Sequence, residues 1–109
     1  MKKPKSPTLR TLQWSASAVA DLEAILDWFD TVSVDRSLEF EQELLAAVEP
    51  LRNYPRMGRV PTDYDWRGTG LDDLREVLVW DFRVGYVVEA RAVEIVYLVH
   101  SKRRFPPVG

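Results

Sequence analysis

The chain has no cysteine and only one histidine among its 109 residues. Without thiols it can form no disulfide framework and no cysteine-ligated zinc site, which agrees with a reducing cytosol. One imidazole cannot build a histidine-rich metal site, and no glycine-rich phosphate loop or serine hydrolase elbow is present. Most enzyme classes are therefore disfavoured, and we expect neither a metal nor a cofactor.

Long apolar runs are also lacking. No stretch approaches the roughly 20 apolar residues that a membrane span requires. Residues 1–8 have a basic start but no apolar segment behind it, which argues against an export signal. We expect a cytoplasmic protein without membrane association, made of a flexible basic arm over residues 1–8 and a single domain over residues 9–109.

The net charge of −2 conceals a segregation of charge along the chain. Residues 21–49 contain nine acidic residues and one base, Arg36, whereas residues 52–109 contain ten bases and eight acids. Such a two-faced molecule can steer partners of opposite charge to different sides. Alternatively, the acids merely solvate the outer faces of two helices.

Periodicity divides the first half of the chain into a strand and two helices. Residues 8–14 alternate in polarity and end at Ser15, which is typical of a strand followed by a helix N-cap. Residues 16–34 have apolar side chains at helical spacing, and a second helical segment runs toward Tyr54, so we predict an antiparallel helix hairpin. Pro50 removes a helical amide, and we expect the regular helix to end near Glu49.

Three segments dense in β-branched and aromatic residues follow, at residues 74–80, 82–89 and 93–100. They predict an antiparallel meander, so the fold class is α+β, with the N-terminal strand, the helix hairpin and then the meander packed on the helices. One face of the middle segment should lie against the helices: Phe82, Val84, Tyr86 and Val88. The preceding residues 55–73 have no period, and Trp66 among them either pins this loop to the core or awaits a ligand.

The remaining chemistry is cationic. Arg83 lies in the middle of a strand, and further bases end the last strand: His100, Lys102, Arg103 and Arg104. Guanidinium groups bind phosphates and an imidazole transfers protons near neutral pH, so this set could support RNA cleavage. Alternatively, Arg83 pairs with Glu76 or Glu94, and the bases after the strand form a solvated tail.

Five segments in order resemble the RelE/ParE superfamily of type II toxin–antitoxin systems over residues 9–105. They are Ala20-Asp-Leu-Glu23, Tyr54-Pro-Arg-Met-Gly-Arg59, Leu74-Arg-Glu-Val77, Phe82-Arg-Val-Gly-Tyr86 and Val96-Tyr-Leu-Val-His-Ser-Lys-Arg-Arg104. The resemblance implies a compact toxin that arrests growth and is neutralised by a cognate antitoxin encoded beside it. Sequence-specific DNA binding is not expected of the toxin without that antitoxin.

Two activities divide this superfamily. RelE-like toxins cut mRNA on the ribosome with a basic cluster and a tyrosine or histidine near the C-terminus, whereas ParE-like toxins lack this set and inhibit DNA gyrase. Here no tyrosine or second histidine follows Arg104, no lysine lies between Lys5 and Lys102, and the pI of 5.4 is low for a protein that binds ribosomal RNA. These departures favour a non-enzymatic, ParE-like gyrase inhibitor. The alternatives are a ribosome-dependent mRNA endonuclease and a degenerate module that binds only its antitoxin.

The resemblance also assigns candidate residues. Target binding is expected of Arg83, Tyr86, His100, Lys102, Arg103 and Arg104, and a nuclease would use Arg83, His100, Arg103 and Arg104 in catalysis. We expect the antitoxin along the helix hairpin and the open sheet edge, on Trp28, Phe29, Leu44, Leu51 and Trp80. The alternative for the tryptophans is ordinary core packing.

Overall fold

The computed structural model describes residues 9–62, 70–71 and 73–102. Its elements follow in the order β1 (Thr11–Trp14), α1 (Ala16–Val32), α2 (Val34–Val48), a 3₁₀ turn (Glu49–Arg52), β2 (Leu74–Val79), β3 (Phe82–Val88) and β4 (Ala92–His100). This confirms the predicted α+β class. The arm over residues 1–8, Trp66, Arg103 and Arg104 lie outside the described residues.

Serine side chains begin both helices. The Ser15 hydroxyl oxygen accepts a hydrogen bond from the Ala18 N–H at 3.0 Å, and Ser33 does the same for Arg36 at 3.3 Å. Because the Ser33 N–H also bonds to the Phe29 carbonyl at 2.7 Å, this one residue both ends α1 and begins α2. Each such cap contributes about 1 kcal/mol to helix stability. The second helix ends at Val48, as the proline at position 50 predicts.

The four strands form one sheet in the order β1-β4-β3-β2. The last three form the predicted antiparallel meander, and β1 pairs in parallel with β4. Between Gly85 and Tyr86 the partner on β4 jumps from Tyr97 to Ile95, which leaves Val96 as an extra residue. This bulge reverses the side-chain alternation of β4. Consequently Ile95 and Leu98 both lie in the core on the helix side.

The helices cover the sheet face that the alternation of β3 predicts. Val84 and Tyr86 are fully buried there, and Phe82 and Val88 pack against the same cluster. The helices and the 3₁₀ turn contribute these buried apolar side chains: Ala18, Phe29, Phe40, Leu44, Val48 and Leu51. Hydrophobic burial at this interface is the main stabilising term of the fold.

Trp80 forms the turn between β2 and β3 with a φ of 52°, a left-handed conformation that favours glycine or asparagine. Its indole packs edge-on against Phe29 and Phe40, with ring centroids 5.5 and 5.2 Å apart. The Arg36 guanidinium carbon lies 4.4 Å from the indole centroid. These contacts offset a backbone strain of about 1 to 2 kcal/mol.

Helix α1 protects the part of β4 that extends beyond β1. The shorter strand β1 ends opposite Ile95, and after that residue no strand of the described ranges pairs with the outer edge of β4. There the Ser15 hydroxyl donates to the Val96 carbonyl at 3.4 Å, and an Asp21 carboxylate oxygen accepts from the Leu98 N–H at 3.0 Å. Helix side chains thus satisfy backbone groups that another strand would otherwise pair.

Replacement of Asp21 by alanine should lower the free energy of unfolding by about 1 to 3 kcal/mol, because the Leu98 N–H loses a charged acceptor in a half-buried place. The matched control is Asp27→Ala, an exposed aspartate on the same helix, which should change stability by about 0.5 kcal/mol or less. Urea unfolding of both variants measures the difference. Equal midpoints for the two variants would refute the role of Asp21.

Candidate functional site

A buried ion pair lies on the sheet face opposite the helices. Glu76 on β2 is 1% exposed and Arg83 on β3 is 5% exposed. The Arg83 Nε lies 2.9 and 3.0 Å from the two carboxylate oxygens, and its Nη2 lies 2.8 Å from Oε2. The Tyr97 hydroxyl donates to the same Oε2 at 2.5 Å. Of the two acidic residues that the sequence offers as partners for Arg83, Glu76 and Glu94, the structure shows the ion pair with Glu76.

Gly85 makes this network possible. The register places Glu76, Gly85 and Tyr97 in one row across β2, β3 and β4. A Cβ atom at position 85 would lie 2.2 Å from Cζ of Tyr97, so the tyrosine ring lies directly over the glycine. Only a residue without a side chain lets the ring cross the middle strand and reach the carboxylate.

Glu76 also joins the sheet to the segment that follows the helices. Its backbone N–H donates to the Arg59 carbonyl at 2.8 Å and its carbonyl accepts from the Arg59 N–H at 2.9 Å. The Arg59 guanidinium lies 3.7 Å from the Glu76 carboxylate and is 60% exposed. One residue of β2 therefore binds three other parts of the chain.

Tyr86 lies on the opposite face and holds the same segment. Its hydroxyl donates to the Pro55 carbonyl at 2.6 Å and accepts from the Gly58 N–H at 2.9 Å. Burial raises the pKa of Tyr86 above its ordinary value, and the hydrogen bond from Gly58 partly opposes this rise. Because its side chain is fully buried and its hydroxyl is bonded internally, the geometry assigns Tyr86 to the core.

The bases that the sequence groups together are divided by the sheet. His100 pairs with Phe82 in the register, and their rings meet edge-on at 5.6 Å on the helix side. The side chain of Arg83, the next residue after Phe82, points to the other face of the sheet, because neighbouring strand residues point in opposite directions. Lys102 is exposed, and its N–H donates to Nδ1 of His100 at 3.2 Å. The described residues thus bring His100 and Lys102 together but place His100 and Arg83 on opposite faces of the sheet.

A pocket of about 320 Å³ lies where the hairpin corner meets the end of the sheet. Five aromatic or apolar residues line it: Trp28, Phe29, Val32, Trp80 and Phe82. Three polar residues complete the lining: Arg36, Asp81 and His100. Trp28 is 59% exposed and Trp80 is half-buried, so both present surface to solvent, and their contact with the antitoxin stays a prediction. The other three predicted antitoxin contacts are core residues instead: Phe29, Leu44 and Leu51.

Further apolar side chains on α2 were not predicted. Val34, Leu38 and Leu45 are 62, 53 and 51% exposed. They recur at spacings of four and seven residues, which places them in one stripe beside the buried stripe of the same helix. That spacing is visible in the sequence and could have identified them as a second apolar surface.

The element order and the four-stranded sheet define a small α+β protein with a buried ion pair on the sheet face opposite the helices. The family model for the "ParE toxin of type II toxin-antitoxin system, parDE" matches residues 12–105, and the chain belongs to this family. A chain of the solved structure "Chromosomal ParDE TA system from P. aeruginosa" is 21% identical, with a TM-score of 0.67 over 87% of this chain and 99% of that chain. At this identity the likeness supports the fold alone. No curated protein sequence matches.

The part of the chain that the structure describes contains neither a candidate metal site nor a candidate membrane-spanning helix. Within it, no three histidine, aspartate or glutamate side chains are grouped so that they could hold a metal ion. Of its helices, none is long and apolar enough to cross a membrane.

Gly85→Ala should destabilise the protein by at least 2 kcal/mol, because the new methyl group displaces the Tyr97 ring from the buried carboxylate. A double-mutant cycle with Tyr97→Ala tests this cause. Once the ring is gone, the added methyl meets less obstruction, so the loss in the double variant should be smaller than the sum of the two single losses. Additive losses, measured by chemical unfolding, would contradict the contact.

Proposed function

We propose that this ParE-family protein inhibits DNA gyrase without catalysing a reaction and that its cognate antitoxin neutralises it. The observation that favours a gyrase inhibitor over a nuclease is the separation of Arg83 from His100 by the sheet. General acid–base cleavage needs groups that converge on one reacting atom within hydrogen-bond reach. Here the arginine is buried beside Glu76 on one face, whereas the imidazole is exposed at the other. This arrangement supports a binding protein over a nuclease.

The competing function is ribosome-dependent mRNA cleavage. The exposure of His100 and Lys102 at the end of β4 favours it, since both side chains are accessible to a phosphate. The two functions differ in their dependence on His100. A nuclease needs this imidazole for proton transfer, whereas a gyrase inhibitor does not.

We place the antitoxin on the hairpin surface, defined here as Trp28, Val32, Val34, Leu38 and Leu45. Each of these side chains is more than half exposed, and they continue from α1 to α2 around the hairpin corner. A group of exposed apolar side chains on neighbouring helices is typical of a partner site. Acidic residues flank it along both helices, so the matching segment is an amphipathic helix or strand with basic flanks.

The purified protein should inhibit supercoiling by gyrase, and His100→Ala should retain this inhibition within about threefold. Induced expression without antitoxin should reduce thymidine incorporation before leucine incorporation. Both results follow if the target is gyrase and no proton transfer is involved. An early fall in leucine incorporation, abolished by His100→Ala, would instead establish the mRNA endonuclease.

The double variant Leu38→Gln, Leu45→Gln should bind the antitoxin at least tenfold more weakly. Burying one leucine contributes about 1.5 to 3 kcal/mol, and 1.4 kcal/mol corresponds to a factor of ten in affinity. The control is Val19→Gln, the same kind of change at a 40% exposed residue outside the hairpin surface. Titration calorimetry with the antitoxin encoded beside this gene compares them. Equal affinities in both variants would exclude the hairpin surface.

A further inference from the structure

The loop at residues 54–60 combines a fixed backbone with exposed side chains. Three of its apolar or aromatic residues are more than half exposed: Tyr54 at 64%, Met57 at 57% and Val60 at 58%. The side chains of Arg56 and Arg59 are 58% and 60% exposed. Pro55 and Gly58 are buried between them. The loop therefore presents five large side chains on a buried support.

Side chains of two neighbouring strands fix the backbone of this loop through hydrogen bonds. From β3, the Tyr86 hydroxyl binds the Pro55 carbonyl and the Gly58 N–H. From β2, the Arg75 Nη1 donates to the carbonyls of Arg56 at 3.3 Å and Gly58 at 3.1 Å. A Cβ atom at Gly58 would lie 2.4 Å from the Tyr86 hydroxyl oxygen, so the approach is close. A loop fixed in this way loses little conformational entropy when it binds a partner.

Among the described residues, the charges around the loop are paired but leave an excess of positive charge. Arg56 lies 2.8 Å from an Asp73 carboxylate oxygen, and Arg75 lies 3.2 Å from the other oxygen. Arg59 lies 3.7 Å from Glu76. Since Arg83 also binds Glu76, four guanidinium groups share two carboxylates among the described residues. A protein that binds the phosphate backbone of a nucleic acid needs many cations that are not already paired. The arginines of this loop are paired with carboxylates, and apolar side chains lie between them, which favours a protein ligand over a nucleic acid.

Tyrosine, arginine and methionine are enriched in the centres of protein–protein interfaces. We propose that the 54–60 loop is the surface that contacts the protein target of this toxin, and that the matching site is an acidic protein surface with an apolar recess. The recess would accept Tyr54 and Met57, and the acidic groups would face Arg56 and Arg59. The inference rests on the proposed function for the identity of the target, which is gyrase.

This surface differs in charge from the hairpin surface. The two helices and the start of the 3₁₀ turn carry nine acidic residues over residues 21–49, so the antitoxin segment needs basic flanks, whereas the 54–60 loop needs an acidic partner. Two partners of opposite charge are therefore expected at two different places on the toxin. Substitutions at each surface should weaken one association and leave the other intact.

The test is the double variant Tyr54→Ser, Met57→Ser, compared with Leu38→Gln, Leu45→Gln. No side-chain hydrogen bond of the described structure is lost in the loop variant, so it should unfold at the denaturant concentration of the wild type. We expect it to require at least tenfold more protein for growth arrest and for inhibition of supercoiling, with antitoxin affinity unchanged. The hairpin variant should keep its toxicity and lose antitoxin affinity.

Arg56→Gln tests the acidic character of the partner. It should weaken inhibition of supercoiling about three- to tenfold at low salt, and the difference from wild type should shrink as salt screens the charges. If Arg56→Gln weakened inhibition of supercoiling by the same factor at high salt as at low salt, this result would contradict an acidic partner.

Two outcomes overturn the inference: undiminished growth arrest by the folded loop variant, or binding to duplex DNA alone that the loop substitutions abolish. The last outcome would identify nucleic acid as the ligand. Failure of the proposed function looks different. If the wild type arrests growth but does not inhibit gyrase, the gyrase assignment fails, while loss of growth arrest in the loop variant still supports the loop as the target surface.

Discussion

The carboxylate of Glu76 is the group on which the arrangement of the sheet depends. Removing an ion from water costs several kcal/mol, and this is offset only where good geometry and further hydrogen bonds surround the charge. Arg83 and Tyr97 provide these contacts from two other strands, and the backbone of the same glutamate pairs with Arg59. Loss of one partner leaves a buried charge and costs about 3 to 5 kcal/mol. The ion pair therefore fixes the relative positions of β2, β3 and β4 on the face that the helices do not cover.

This constraint separates structural arginines from exposed ones. Arg83 is committed to the interior, whereas Arg56 and Arg59 keep more than half of their side chains in solvent while their backbones are held in place. The helices on the other side of the sheet carry the acidic residues and the exposed apolar stripe. If the proposed surfaces bind a target and an antitoxin, this division gives specificity, because each surface would repel the partner proposed for the other.

The sequence predicts most of the fold because most of it is local. Apolar spacing predicts both helices, the serine at position 15 predicts the start of the first, and β-branched runs predict the meander within one or two residues of its observed limits. Two features could not be predicted. The parallel pairing of β1 with β4 joins segments about 80 residues apart, and a four-residue strand carries no signal for its partner. The bulge at Val96 depends on how Tyr97 and Ile95 must each be placed, which alternation alone does not specify.

The candidate site was harder to predict, since periodicity shows which residues are apolar but not which of two stripes is buried. Leu44 and Leu51 lie in the stripe that packs on the sheet, and Leu38 and Leu45 lie in the neighbouring one. Residues of the same type one position apart thus have opposite roles, and only the contact with the sheet decides between them. The same limit applies to the loop. Its Pro-Arg-Met-Gly-Arg motif is evident in the sequence, but its rigidity comes from the Tyr86 hydroxyl, which lies about 30 residues further along the chain. A functional surface whose support is non-local becomes visible only when the fold brings that support beneath it.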